Sequence, residues 1–282
     1  MTPDNLASGL NATPDLPLPR LVEGRFSNLT AYTDEGLFSA SGVRIAFSER
    51  NGGISLPPYD SLNLGTHVSD GAAAVASNRA ALLRALGAED AQVICPNQVH
   101  GADVAICTCT SAVDDARDFA QEGADAVVVS CDDVAALLCF ADCMPVVLVA
   151  PGGAFSVVHC GWRGVVGGVW QHAALALEEA SGQPISRFNA YIGPYIHSCH
   201  FEVGEEVANQ FNEQFGADCL VDARHVDMGC AIQCALQALG FAPERIADVD
   251  VCTVCDGKKR FYSYRASGGV CGRHGALAVK TR

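Results

Sequence analysis

The stretch Phe140-Ala141-Asp142-Cys143-Met144-Pro145-Val146-Val147-Leu148-Val149-Ala150-Pro151-Gly152-Gly153-Ala154-Phe155-Ser156-Val157-Val158-His159-Cys160-Gly161-Trp162-Arg163-Gly164 decides the reading of the chain. Two apolar, β-branched runs, 146–150 and 154–158, flank a Pro-Gly-Gly turn. That pattern reads as a buried β-hairpin. Antiparallel strands bring their outer ends together, so Cys143 and His159 should lie side by side although they are far apart in sequence. A thiol beside an imidazole serves metal ligation or nucleophilic catalysis. A buried cysteine next to an ordinary core histidine is the structural alternative. Asp142, Trp162 and Arg163 at the same strand ends favour a site.

The bulk properties bound what such a site can serve. A chain of 282 residues, 49% hydrophobic, can build a sizeable core. The net charge of −14 argues against nucleic acid and against anionic membranes, both of which need a basic face. No uninterrupted apolar run is long enough for a membrane span. The polar, Pro-rich residues 1–20 contain no secretory core. Fourteen scattered cysteines form no small-domain disulfide framework, so reduced thiols in the cytoplasm are expected.

Outward from the hairpin, residues 1–35 read as a flexible extension and 36–282 as one catalytic domain. Strands are expected at 43–47, 93–94, 104–107, 123–129, 134–140, 189–192, 246–251 and 277–279, with an extended piece at 261–265. Helical spacing marks 70–87, 167–181, 201–215 and 228–239. Residues 48–65 form a long Gly- and Pro-containing loop, and 114–123 an acidic loop. Strands mixed with helices indicate an α/β or α+β domain.

His100, before Gly101, completes a His100/Cys143/His159 set. Three protein ligands with an open position is the pattern of a catalytic zinc. Arg163, between Gly161 and Gly164, is a candidate holder of an oxyanion. Cys252-x-x-Cys255 and the cluster His197, Cys199 and His200 could supply a second, structural zinc. No matching pair stands at zinc-ribbon spacing, so ordinary thiols are the simpler reading there. No nucleophile elbow, Walker loop or dinucleotide fingerprint is present.

Several stretches together resemble the YfiH-like, or laccase-domain (multicopper polyphenol oxidase), family, which includes the FAMIN-type purine nucleoside phosphorylases. They are Ala46 to Ser55; Ser61-Leu62-Asn63-Leu64-Gly65; Asn78-Arg79; Gln98-Val99-His100-Gly101; Ala124-Asp125-Ala126; Ala141-Asp142-Cys143-Met144-Pro145; and His159 to Gly164. Ile192-Gly193-Pro194, Phe201-Glu202-Val203-Gly204, Phe261 to Arg265 and Gly272-Arg273 follow in order. The resemblance implies a single-domain α/β sandwich of mixed sheets flanked by helices, related to the catalytic domains of cytotoxic necrotizing factors. It implies zinc, with copper as an alternative, on His100, Cys143 and His159. It implies phosphorolysis of adenosine, inosine, guanosine and methylthioadenosine, together with adenosine deamination. On that basis Cys143, His159, Arg163 and Asp142 are catalytic candidates, with Asp142 orienting a ligand. Ser48, Arg50, Asn63 and Gln98 are candidates for substrate contacts. The implied partners are purine nucleosides and phosphate, in a monomer or homodimer. One departure stands out: the family usually has Ala at the position of Cys160, where a thiol could compete for metal. Three rival readings stand beside this one, the first a non-enzymatic binding module with a structural metal, against which an open fourth coordination position would argue. Cys143 and His159 could form a cysteine hydrolase or deamidase pair. A copper polyphenol oxidase would need many histidines, often as His-x-His, whereas this chain has eight and no such pair.

Overall fold

In the computed structural model, residues 13–256 and 259–281 are described. In chain order the elements are β1 (Val22–Phe26), β2 (Leu29–Thr33), α1 (Glu35–Ser41), β3 (Val43–Ser48), α2 (Ala72–Ala85), β4 (Gln92–Ile94), β5 (Val104–Cys107) and α3 (Val113–Gly123). They continue with β6 (Ala126–Val129), β7 (Val134–Phe140), β8 (Met144–Val149), β9 (Phe155–Cys160), α4 (Trp162–Val166), α5 (Val169–Ser181) and β10 (Asn189–Ile192). The last are α6 (Glu205–Phe215), α7 (Met228–Leu239), β11 (Ile246–Asp248) and β12 (His274–Lys280).

The strands form two mixed six-stranded sheets, ordered β1-β2-β3-β12-β7-β4 and β11-β10-β8-β9-β6-β5. Alternation along each strand sorts the side chains into layers. Phe155 and Val157 of β9, Val147 and Val149 of β8, and Ala136, Leu138 and Phe140 of β7 meet between the sheets. Leu137 and Cys139, on the other face of β7, pack beneath Leu82 of α2 and Leu86 just after it. Val146, Leu148 and Val158 face Ala173, Leu177, Ile232 and Leu236 of α5 and α7. Strands buried on both faces read as continuous apolar runs for this reason. The architecture is therefore a sandwich of two mixed sheets with helices on its outer faces.

Several local expectations are corrected. Residues 114–123 are helical, not a loop. Val113, Ala116 and Ala120 are buried on one side, and Asp114 and Asp115 sit in the first turn, where carboxylates favour a helix. The expected flexible extension contains the β1–β2 hairpin, which pairs onto β3 through Ala31↔Ser48 and Tyr32↔Phe47. Residues 1–12 of that extension lie outside the described residues. The helix expected from 201 starts at Glu205, because Phe201 is engaged in a loop and Gly204 is extended. Residues 261–265 join no strand ladder; Phe261 and Tyr262 pack around His274 instead. Among the described residues, no helix is long and apolar enough to cross a membrane.

Candidate active site

The site is assembled where three strand ends meet. In the β8–β9 pair, Pro145 stands opposite His159, so Cys143 just before β8 faces the end of β9. Strand β6 lies on the other side of β9 with Ala126 opposite Val158, which puts Asp125 beside His159. The His159 N–H donates to the Asp125 carbonyl at 2.7 Å, extending the ladder by one rung.

Asp125 is fully buried and organises both histidines. Its Oδ1 lies 2.7 Å from His159 Nδ1 and accepts the His100 N–H at 3.0 Å. Its Oδ2 accepts the N–H groups of Val99 at 3.2 Å and Gly101 at 2.6 Å. Burial alone would raise this carboxyl; the His159 partner and the backbone donors outweigh it and hold it below its ordinary value. A carboxylate can only accept, so His159 Nδ1 carries the proton and Nε2 faces the centre. His100 adopts a left-handed φ of 60°, which turns its ring toward the same point while its N–H reaches Asp125.

His100, Cys143 and His159 present ligand atoms that all lie within 4.8 Å of one another. Cys143 Sγ is 3.7 Å from His100 Nε2. Zinc–ligand bonds of about 2.0–2.3 Å at tetrahedral angles put an Sγ and an imidazole nitrogen about 3.5 Å apart, so the donor set fits one such ion. Burial pushes the Cys143 thiol up, but the charge of His159 and hydrogen bonds from both histidines bring it down to about 6. His159, also opposed by burial, is raised to about 9 by Cys143 and Asp125. The pair therefore supplies a thiolate at neutral pH. Gly161 closes the back of the cluster: a Cβ there would fall 2.7 Å from His100 Cδ2 and 3.3 Å from Cys143 Sγ.

The three donors open into a cavity of about 430 Å³, lined also by His67, Gln98, Phe201, Tyr264 and Arg273. The volume suits a nucleoside-sized ligand. Gln98 lines it while its amide clamps the backbone of Cys139, donating to the carbonyl at 2.9 Å and accepting the N–H at 2.8 Å.

Other expected residues lie elsewhere. Arg163 is exposed on α4, its guanidinium 4.2 Å from the Trp162 ring centroid, and it does not line the cavity. Helix α4 begins directly after Gly161 and turns Arg163 away, so closeness to His159 in sequence is lost in space. Ser48 Oγ is buried and accepts the Gly275 N–H. Arg50 binds Asp60 and lies over Tyr262. Asn63 is fully buried, holding Gly65, Asp70 and the backbone N–H of Arg273. None of these three lines the cavity. Asp142 borders it but touches neither histidine. Instead it accepts from Thr253 Oγ1 at 2.6 Å and the Arg265 N–H at 2.7 Å, bracing the cavity wall. Cys160 alternates away from His159 into the apolar layer under α5. Asp125, Tyr264 and Arg273 stand in the matching stretches but were given no role from the sequence, and His67 was not named at all. A carboxylate in the all-small setting Gly123-Ala124-Asp125-Ala126-Val127 was the available signal for the first, since a buried charge must be compensated.

Residues 44–281 match the family model described as multi-copper polyphenol oxidoreductase laccase. Purine nucleoside phosphorylase YlmD of Geobacillus stearothermophilus is 31% identical over 243 residues, covering 83% of this chain and 88% of that protein. Purine nucleoside phosphorylase YfiH of Shigella flexneri is 34% identical over 228 residues, covering 79% of this chain and 88% of that protein. The crystal structure of YlmD from G. stearothermophilus superposes with a TM-score of 0.81 at 28% identity, over 95% of this chain and all of that one.

Proposed function

The chain belongs to the multi-copper polyphenol oxidoreductase laccase family, and on that premise we infer that it is a metal-dependent purine nucleoside phosphorylase acting in the cytoplasm. The observation that carries the reading is the convergence of His100, Cys143 and His159 at a nucleoside-sized cavity bordered by Arg273 and aromatic side chains. The names of the relatives supply the reaction class. The substrates are adenosine, inosine, guanosine and methylthioadenosine, with adenosine deamination as a second activity.

In phosphorolysis a phosphate oxygen bonds to C1′ while the C1′–N9 bond breaks, and the purine leaves after taking a proton. Arg273 borders the cavity and its guanidinium can pair bidentately with phosphate oxygens, which recommends it over Arg163 as the anion holder. The rings of Tyr264 and Phe201 offer stacking faces for the base. The Gln98 amide has one N–H beyond that given to Cys139, suited to a sugar hydroxyl. Asp125 keeps His159 in the tautomer that ligates. A thiolate with two imidazoles suits zinc; His100, Cys143 and His159 would hold the ion, which would supply Lewis acidity to the substrate.

A second reading has one specific observation in its favour: Cys143, His159 and Asp125 stand in nucleophile–base–carboxylate order. It leaves His100 Nε2, 3.7 Å from the same sulfur, without a role, whereas the metal reading uses it. A multicopper oxidase needs more imidazoles: the ligand groups among the described residues contain three histidines in total, split between two places. The test is incubation of zinc-loaded protein with inosine and phosphate. Equal amounts of hypoxanthine and ribose 1-phosphate are expected, with none formed when phosphate is omitted. Base release that ignores phosphate, or no base release from any of the four nucleosides, would remove the assignment.

A further inference from the structure

Outside the cavity, a second set of donors is brought together from two loops. Cys199 and His200 come from the segment between β10 and α6, and Cys252 and Cys255 from the turn after β11. Their four ligand atoms lie within 4.8 Å of one another. Cys199 Sγ is 3.8 Å from Cys252 Sγ and 3.3 Å from Cys255 Sγ. His200 Nδ1 is 3.2 Å from Cys199 Sγ and 3.3 Å from Cys255 Sγ. Zinc–sulfur bonds of about 2.3 Å at tetrahedral angles place two sulfurs about 3.8 Å apart and a sulfur and nitrogen about 3.5 Å apart. The four atoms thus surround one point at the spacing of a closed tetrahedral site.

The backbone around Cys252 favours a thiolate. Cys252 opens a tight turn closed by the Asp256 N–H on its carbonyl, and backbone N–H groups of His197, Val254 and Cys255 are directed at its sulfur. The two loops are also pinned side by side, through the Thr253 N–H on the Tyr195 carbonyl and the bridge Tyr195↔Cys252. All four ligands come from the protein, which marks a structural rather than a catalytic site.

The geometry points to a second zinc site, Cys199/His200/Cys252/Cys255, that clamps these two loops together. The clamp has a consequence for the cavity next to it. Ile196 and Phe201, on either side of the ligand pair, line the cavity, and Arg265 donates to the carbonyls of His200 and Glu202. Thr253, within the CxxC turn, holds Asp142. A zinc here would set the wall against which substrate binds without touching it. The proposal is independent of what ion or reaction the His100/Cys143/His159 centre supports.

The test counts zinc in the reduced, full-length protein by native mass spectrometry. Two ions per chain are expected in the wild type, one in His100→Ala, and one in Cys252→Ser/Cys255→Ser. That pattern separates the two sites, since failure of the catalytic assignment would leave the Cys252→Ser/Cys255→Ser loss intact. If the double variant does not fold, the wild type suffices. Alkylation mapped by mass spectrometry should spare Cys199, Cys252 and Cys255 in zinc-loaded protein and modify all three after chelation. Zinc content unchanged by the double substitution would overturn the site. So would equal alkylation with and without zinc, or a Cys199–Cys255 disulfide in freshly purified protein.

Discussion

Asp125→Asn removes one charge and almost no volume, yet it should disable the centre. Four donors converge on this carboxylate: His159 Nδ1 and the His100 N–H on Oδ1, and the Val99 and Gly101 N–H groups on Oδ2. An asparagine can accept on only one side. With its NH2 toward Val99 and Gly101, two partly buried N–H groups lose their acceptor, at no more than about 1–3 kcal/mol each, an upper bound of about 2–6 kcal/mol in all. With its NH2 toward His159, the imidazole must move its proton to Nε2, the atom the ion requires. Either orientation weakens the site, and loss of such a partner typically costs about 10- to 100-fold in metal affinity. Urea denaturation of the metal-free proteins measures the first effect, and zinc titration against a competing chelator the second. A variant with wild-type stability and wild-type zinc affinity would refute the role given to Asp125.

Three further outcomes are expected. Gly161→Ala puts a methyl 2.7 Å from His100 Cδ2 and 3.3 Å from Cys143 Sγ, so elemental analysis should find at least a tenfold weaker hold on zinc at the catalytic centre; full occupancy under chelator challenge would contradict the packing. Arg273→Lys should raise the phosphate KM at least tenfold and the nucleoside KM much less, because the charge stays and the bidentate fork is lost; Arg163→Lys should leave both within about twofold. His274 is buried, and burial followed by the charges of Arg273 and Arg50 lowers it from 6.5 to about 3. Below pH 6.5 the unfolded chain takes up a proton that the folded chain refuses, so stability falls as pH drops toward 3, by about 1.4 kcal/mol per pH unit. Denaturation at pH 7 and pH 5 should show about 2 kcal/mol of loss from this residue, absent in His274→Gln.

How much of this was readable before folding depends on the range of the interaction. The hairpin was legible because continuous β-branched apolar runs and a Pro-Gly-Gly turn are local signals, and they bring Cys143 to His159 directly. Helix α3 was not, because its aspartates read as a loop until Ala116 and Ala120 are seen to be buried. Asp125 was quoted in a matching stretch without a role, since its four donors come from segments that only the sheet brings together. The long-loop residues Ser48, Arg50 and Asn63 look like ligand contacts in a sequence. In space their polar atoms are consumed by the loop itself and by the strand and segment behind it. The sequence offered Cys252-x-x-Cys255 with His197, Cys199 and His200 as a second set of donors, but which of these share one point, with His197 left out, is visible only once the two loops pack.

The most direct test of the metal centre is the reactivity of Cys143 itself. A thiolate brought to about 6 by His159 and His100 should alkylate rapidly in metal-free protein at pH 7. A metal ion on that sulfur should shield it. Site-resolved mass spectrometry of protein treated with iodoacetamide, zinc-loaded and chelator-stripped, reads the difference at this one residue. At least a tenfold slower modification of Cys143 in the zinc-loaded protein is expected, restored by chelator. Equal rates in both states, with alkylated protein inactive, would make Cys143 a nucleophile and contradict the metal centre.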